Sequence, residues 1–451
     1  MSSNADVLIV GAGFSGTVLA ANLAVLRPDI RILLVEKSAE GKFGMAFQTT
    51  CPAHVLNVPA SGMSAFVDKP TDFIEWACSN GVFLKPQSFA PRMVYGRYLA
   101  HILERLETQR NVTVVRDEAV GLDKVGEGWI CRLRSGATLT ARDAVLAFGN
   151  FPPARRSQFD SVKAHASYVA NPWGPVSSDA IRSAGMIGIV GSGLTAVDVV
   201  LALENGGFDG CYTLISRHGL LPLPHKVVET PMPAELVPKP NASLRKLVRE
   251  IRRCAKLATE MGSDWRAVFD VIRPNVSVYW RTLHEADRRQ FLRHLRSYWD
   301  VHRHRVAPDV WAQIERLVGE GRLKTIAGTL LPVRAEGSVI EVAIRSTDGS
   351  HSTGFRFDLL FNCTGSPTRV AEIPSELLQD LVSSGAAALD ATGMGLACDE
   401  AGNVLDAHGN PQPGLYVLGV LRRGQLWEST AIPDLRKYAA TLAEHIVELI
   451  D

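Results

Sequence analysis

Short apolar runs that end in glycine recur along this chain, and their spacing sets its architecture. Val7-Leu8-Ile9-Val10 is a continuous hydrophobic run, the signature of a strand buried on both faces, and it passes directly into Gly11-Ala12-Gly13-Phe14-Ser15-Gly16. Leu19, Leu23 and Leu26 follow at helical spacing, so the pattern predicts strand, tight turn and helix. A second apolar run, Ile30 to Val35, ends in Glu36, twenty residues past Gly16. The same order returns 180 residues later, with Met186 to Val190 feeding Gly191-Ser192-Gly193-Leu194-Thr195-Ala196 and a helix carrying Val197, Val200, Leu201 and Leu203. Two more apolar runs, Ala144 to Phe148 before Gly149-Asn150 and Leu359 to Cys363 before Thr364-Gly365, end in small-residue turns where the chain can cross between two such units.

The glycines have distinct physical roles. Gly11 permits the tight turn, Gly13 lets a diphosphate approach the backbone, and Gly16 lets helix pack on strand, with Phe14 and Ser15 opening the helix whose N-terminus faces the anion. A carboxylate at Glu36 can accept hydrogen bonds from both hydroxyls of an adenine ribose. In the second unit Gly191, Gly193, Leu194 and Thr195 repeat the cradle, and a shift of 180 residues sets Ser216 on Glu36 and Arg217 on Lys37. The acid is gone, and a hydroxyl and a guanidinium stand where a ribose 2'-phosphate would lie. The second nucleotide is therefore expected to be NADPH, with His218 as a further donor or a stacking ring, and the two crossings suggest an inserted NADPH domain between two halves of a flavin domain. Arg217 as a solvated loop cation is the plainer alternative.

The fold class that follows is α/β, with two Rossmann-like dinucleotide-binding domains, the second inserted in the first, and a helical insert. The expected boundaries are 1–165 for the first part of the FAD domain, 166–355 for the NADPH domain with a basic helical insert at about 235–320, and 356–451 for the second part of the FAD domain.

Composition narrows the setting without changing this picture. The 451 residues carry 48 Lys+Arg against 47 Asp+Glu, which gives no overall pull toward nucleic acid or anionic membrane. No run reaches the ~18 apolar residues of a membrane span. Seven cysteines are scattered with no CxxC pair, which argues for a reducing cytoplasm and against a dithiol relay. Between Asn241 and Arg305, however, 15 Lys/Arg face 7 Asp/Glu. Leu244, Leu247, Ile251 and Leu257 recur at helical spacing there. That insert reads as a solvated helix face, as a funnel for NADPH or an acidic substrate, or as a surface for nucleic acid or a partner. The run Tyr298-Trp299-Asp300-Val301-His302-Arg303-His304-Arg305 is the densest polar constellation of the chain; His302 and His304 lack nearby thiolates or clustered carboxylates, so no metal is expected, and the run belongs to lobe packing or to a substrate pocket.

The chain resembles the two-dinucleotide-binding flavoproteins over nearly its whole length. Gly41-x-x-Gly44-Met45-Ala46-Phe47, Leu56-Asn57-Val58-Pro59-Ala60, Pro91-Arg92-Met93-Val94-Tyr95-Gly96 and Gly424-x-Leu426-Trp427-Glu428 are similar to the branch with bacterial FAD-dependent urate hydroxylase and aspartate N-hydroxylases. The resemblance implies that Gly44, Met45 and Ala46 lie along the flavin. It also implies that Arg92, Gly149, Gly365 and Gly419 border the cofactors, and that the helix starting near Ile432 points its N-terminus at the flavin pyrimidine. Many relatives carry Asp after the glycine at Gly419, whereas this chain has Val420.

NADPH can reduce the flavin, and with no CxxC and no haem or iron–sulfur ligand set the general acceptor left within the chain is molecular oxygen. The expected function is an FAD-dependent, NADPH-consuming monooxygenase that hydroxylates a small polar substrate, an amino acid or nitrogen heterocycle, through a flavin C4a-hydroperoxide. Asn57 is the candidate catalytic group near the flavin, or equally an Asn that satisfies a turn. An NADPH-dependent reductase serving a partner carrier, and a flavin-binding protein without turnover, are the alternatives. The FxGxxxHxxxF pattern of mainstream flavin monooxygenases is poorly matched at Phe148, because Asn150 stands where glycine is required.

Overall fold

Parallel strands explain why the glycine-terminated runs are apolar throughout rather than alternating. In the computed structural model, which describes residues 3–38, 44–228, 230, 232–233 and 236–450, the strand Ser3–Val10 lies between Ile32–Glu36 and Thr138–Leu146, parallel to both. Its side chains alternate between two cores. Val7 and Ile9 join the helices Phe14–Leu26, Arg92–Glu107 and Ile432–Ile450 on one face, while Leu8 and Val10 join Trp129, Cys131 and the helix Glu376–Ser383 on the other. The order across this sheet is Asn403–Leu405, Pro411–Val417, Thr138–Leu146, Ser3–Val10, Ile32–Glu36, Val112–Arg116, and the hairpin Ala119–Val125 with Gly128–Leu133 adds to it through Thr138–Leu146.

A second sheet repeats the plan, with every neighbouring pair parallel: Leu323–Ala327, Cys211–Ser216, Met186–Val190, Leu359–Asn362, Tyr168–Val169. In both sheets the strand before the glycines is flanked by the strand that follows its helix and by a strand from later in the chain. The chain leaves the first sheet after Leu146, builds the second, and returns through Pro411–Val417, which pairs parallel with Thr138–Leu146. The inserted arrangement read from the sequence is thus present. Its later boundary shifts, because Leu359–Asn362 pairs with Met186–Val190 and so belongs to the inserted domain, not to the returning segment expected from 356. The two crossings run side by side: Ala154 N–H donates to Gly365 O at 3.2 Å and Ser366 Oγ donates to Phe151 O at 2.6 Å. A four-stranded antiparallel sheet, Thr329–Leu330, Arg334–Glu336, Val339–Arg345 and Ser352–Phe357, packs on the inserted domain through Ile215, Leu360 and Val190.

The helical insert comprises Leu244–Glu260, Trp265–Ile272, Val276–Thr282, Glu285–Gln290 and Arg296–Arg303. Helix Pro308–Gly319 buries Val310, Ile314 and Leu317 in the core of the inserted domain, so the lobe ends near Arg305 rather than at 320. Arg245, Lys246, Arg249, Arg252, Arg253 and Lys256 are exposed while Leu244, Leu247, Cys254 and Ala258 are buried, so the positive excess on this helix is its solvated face. The lobe docks on the first domain. Trp280 stacks on Trp427 with ring centres 4.9 Å apart and donates its indole N–H to Gly424 O at 2.8 Å, and Trp299 donates to Glu428 Oε1 at 3.0 Å. The Gly424-x-Leu426-Trp427-Glu428 motif is therefore the seat of the lobe.

Candidate functional site

The two glycine turns have the same local design. Gly11 and Gly191 sit at φ +103° and +117°, in the region that favours glycine, and a Cβ on either would strike the neighbouring crossing at Phe148 or Cys363. A Cβ on Gly16 would lie 1.9 Å from Gly11 O, whereas Gly13 and Gly193 have no heavy atom within 4 Å of that position. Ala196 fills the third position of the second turn and is fully buried. The helices Phe14–Leu26 and Leu194–Asn205 start at Gly13 and Gly193 with no side-chain cap, so their first N–H groups stay available. Open backbone in front of an uncapped helix fits a nucleotide diphosphate at both turns.

Beyond the turns the copies diverge. Glu36 accepts hydrogen bonds from Ala12 N–H and Ser38 N–H, each at 2.9 Å, which holds the carboxylate while each oxygen keeps a lone pair for a ribose hydroxyl. Lys37 is exposed and does not border the cavity described below. In the second unit Ser216 Oγ lies 2.8 Å from Ser192 Oγ and accepts from Gly219 N–H at 3.0 Å. Its hydroxyl is largely committed to its own loop. Arg217 is exposed, has no ion pair among the described residues, and borders the cavity beside His218, whose ring lies 5.3 Å from that of Tyr298 in the helical lobe.

One cavity of about 650 Å³ joins the two turns. Gly13, Phe14, Ser15, Gly44, Asn57, Arg92, Gly149, Gly419 and Ile432 border it from the first domain, and Gly191, Gly193, Leu194, Thr195, Ser216, Arg217 and Gly365 from the second. Sixteen of the twenty-two residues expected from the sequence thus meet around a single space, while Gly11, Gly16, Glu36 and Lys37 do not border it. Helix Ile432–Ile450 begins at the cavity wall. Gly44–Phe47 is a short helix, and the side chains of Met45 and Ala46 lie outside the described residues. Gly419, at φ +85°, brings its backbone against Ser15, since a Cβ there would sit 3.1 Å from Ser15 Oγ.

Two residues have fuller roles than expected. Arg92 forms a salt bridge to Asp198 at 2.8 Å, donates to Val55 O at 3.1 Å and lies over the ring of Trp173. Its charge is engaged in joining the domains. Asn57 accepts at its carbonyl from His225 Nε2 at 2.9 Å, so His225 pins the backbone of the Asn57 turn to the cavity wall. Burial, with Arg305 nearby, pulls the His225 imidazole down to about 4.

A further part of the wall comes from the lobe and its seat. Asp300, Arg303 and His304 border the cavity from the polar run singled out in the sequence, and Thr430 with them, while Ser297, Arg423 and Ser429 come from positions that sequence reasoning missed. Arg303 is buried and paired with buried Glu428 at 2.5 Å. Burial lowers the pKa of His304 and favours its neutral form. His302 instead stacks on Phe269 with rings 5.4 Å apart, so the dense polar run at 298–305 divides between cavity wall and lobe packing. Among the described residues no group of His, Cys, Asp and Glu could hold a metal ion, and no helix is long and apolar enough to cross a membrane.

Comparison with known proteins agrees with this fold. Residues 8–151 match the FAD-NAD(P)-binding family model. No curated protein matches the sequence. Among solved structures, the FAD-bound cadaverine monooxygenase of desferrioxamine biosynthesis from Erwinia amylovora aligns with a TM-score of 0.70 at 13% identity, covering 99% of this chain and 95% of that one. The ornithine N-hydroxylase of Kutzneria sp. 744, solved with reduced FAD, NADP+ and L-ornithine, aligns at 0.69 and 15% identity over 100% of both chains. The bacillithiol disulfide reductase of Staphylococcus aureus aligns at 0.60 and 12% identity, again over 100% of both. From its paired parallel sheets to its doubled glycine turns, the chain has the fold of the two-domain FAD/NAD(P) oxidoreductases.

Proposed function

We propose that this chain is an FAD-dependent, NADPH-consuming monooxygenase that hydroxylates a small polar substrate at nitrogen or carbon. The observation that carries the reading is the shared cavity, because both diphosphate cradles border one space in which FAD and NADPH would lie together. Gly13 and the first turn of Phe14–Leu26 hold the FAD diphosphate, Glu36 its ribose, and the start of Ile432–Ile450 offers N–H groups to the flavin ring. Gly193 and Leu194–Asn205 hold the NADPH diphosphate, with Arg217 on the 2'-phosphate and His218 and Tyr298 flanking the adenine. Bound FAD would supply the two-electron redox chemistry, with NADPH as reductant and dioxygen as oxidant. One oxygen atom enters the substrate and the other leaves as water, with NADPH and one solvent proton supplying the balance.

The structural neighbours solved with FAD and NADP+ support this reading, and the cysteines weigh against the reductase alternative. All seven are free, and Cys363 alone among them borders the cavity, its thiol buried and shifted well above the usual range. No second thiol stands there to complete a dithiol. The test is aerobic NADPH oxidation under labelled dioxygen. Incorporation of one labelled atom into product supports the proposal, whereas substrate-independent oxidation yielding only hydrogen peroxide, or efficient transfer to a carrier in place of oxygen, speaks against it.

A further inference from the structure

Among the described residues two cavity-lining arginines have no charge partner, Arg217 in the inserted domain and Arg423 at the seat of the lobe. Arg423 opens the short helix Arg423–Leu426, directly after the turn at Gly419 and before the helix that starts at Ile432. Its side chain is half-buried, borders the cavity, and makes no hydrogen bond or ion pair among the described residues. The neighbouring cations each have a carboxylate at ion-pair distance: Arg303 has Glu428, Arg92 has Asp198, and Arg305 has Asp270. The charged groups that act on Arg423 are Arg296 and Asp300, both from the lobe. These three groups sum to one positive charge. Enclosing an uncompensated cation is costly unless a ligand balances it. Burial and the nearby Arg296 pull the Arg423 guanidinium down to about 10, which reports the same missing partner.

Two further features shape the space beside it. Asp300 also borders the cavity, and its oxygens come no closer than 3.5 Å to Arg296 Nε and 3.8 Å to His304 Nε2, which leaves them free to accept stronger hydrogen bonds. Ser429, fully buried, lines the same wall with a hydroxyl that has no partner. The diphosphate cradles are at Gly13 and Gly193, each served by its own uncapped helix, so neither diphosphate requires this cation.

We infer that Arg423 receives the carboxylate of the substrate, with Asp300 beside it for an ammonium group, so that the substrate class is an amino acid rather than a bare amine or a neutral heterocycle. This rests on the oxidoreductase reading for the identity of the cavity, not for the chemistry of Arg423. A planar guanidinium accepts a carboxylate through two parallel N–H bonds, which a decarboxylated amine cannot return.

The experiment titrates the FAD- and NADP+-loaded protein with the twenty common L-amino acids and L-ornithine, their decarboxylated amines, and neutral purines, reading the flavin absorbance change and the heat of binding. At least one amino acid binds, its decarboxylated amine binds about 30-fold more weakly, and Arg423→Met weakens the amino acid by a similar about 30-fold while changing the amine less than about threefold. Arg423→Lys, which keeps the charge but not the fork, falls between. FAD content and the Kd for NADP+ stay within about twofold of wild type in both variants, which separates loss of a contact from loss of fold. The inference is overturned if an amine or purine binds as tightly as every amino acid, if no carboxylate binds, or if Arg423→Met releases FAD or NADP+ instead. Should the binding pattern hold while no hydroxylated product forms, the carboxylate site stands and the monooxygenase reading falls.

Discussion

Arg92 and Asp198 form a buried salt bridge of 2.8 Å between the first domain and the fingerprint helix of the inserted one. Their side chains are 12% and 7% exposed, and His54 Nε2 donates to the Asp198 carbonyl at 2.8 Å, so the contact is enclosed on both sides. Removing one partner strands the other charge. We expect Asp198→Leu to cost about 3–5 kcal/mol in urea unfolding, and the double variant with Arg92→Met to cost less than the single change. Additive losses in that cycle would show that the two charges do not depend on each other.

The two inner glycines of the first turn should fail in opposite ways. Gly16 has no room, since an added Cβ meets Gly11 O at 1.9 Å, so Gly16→Ala is expected to lower stability by about 3 kcal/mol through backbone displacement. Gly13 has φ −69° and open space, so alanine fits its backbone and leaves the apoprotein unchanged or up to about 0.5 kcal/mol more stable. The new methyl instead occupies the diphosphate path. Gly13→Ala protein should lose FAD on gel filtration while keeping its melting temperature as apoprotein. Retention of FAD by Gly13→Ala would move the diphosphate elsewhere.

Coenzyme choice should rest on Arg217 more than on Ser216. The Ser216 hydroxyl is engaged with Ser192 and Gly219, whereas Arg217 is free at the cavity edge. We expect Arg217→Ala to weaken NADPH by roughly 1.5–3 kcal/mol, the worth of a charged hydrogen bond, with little change for NADH, and Ser216→Ala to have a smaller effect. Steady-state KM values for the two coenzymes check this. Equal losses for both would remove Arg217 from the 2'-phosphate.

What the sequence disclosed was what is local or periodic. Gly11 to Gly16 form a turn through their own backbone requirements, Glu36 follows at the length of one helix and one strand, and the copy at Gly191 could be aligned by offset alone. The wall made by Asp300, Arg303 and Arg423 was not legible as a wall, because Arg303 and its partner Glu428 meet only after the lobe folds back on the first domain, with Trp280 stacked on Trp427. The polar density at 298–305 was the only signal. The late boundary failed for a related reason: Leu359 to Asn362 is apolar on both faces, and such a run suits either parallel sheet. Lys37 was placed near the nucleotide by its neighbour Glu36, yet the end of a strand turns successive side chains to opposite sides, and Lys37 faces solvent.

His225 should make the protein acid-labile over a defined range. Its ring is enclosed against Phe89, with centroids 5.0 Å apart, and its Nε2–H donates to Asn57 O at 2.9 Å. Burial first, and the positive charge of Arg305 next, hold its pKa at about 4 against 6.5 for an ordinary histidine. Between those values the unfolded chain binds a proton that the folded chain refuses. The stabilising contribution is therefore complete above pH 6.5 and is lost as the pH falls toward 4, with a ceiling of about 3 kcal/mol for this one group. His225→Gln keeps an N–H donor for Asn57 O but cannot titrate. We expect the melting temperature of wild type to fall more steeply than that of His225→Gln from pH 7.5 to 4.5, although the variant starts somewhat lower from imperfect packing. His54, also held below its ordinary value by burial, is common to both proteins and cancels in the comparison. Parallel curves would mean that His225 takes up its proton without disturbing the fold, and that the contact with Asn57 does not depend on a neutral ring.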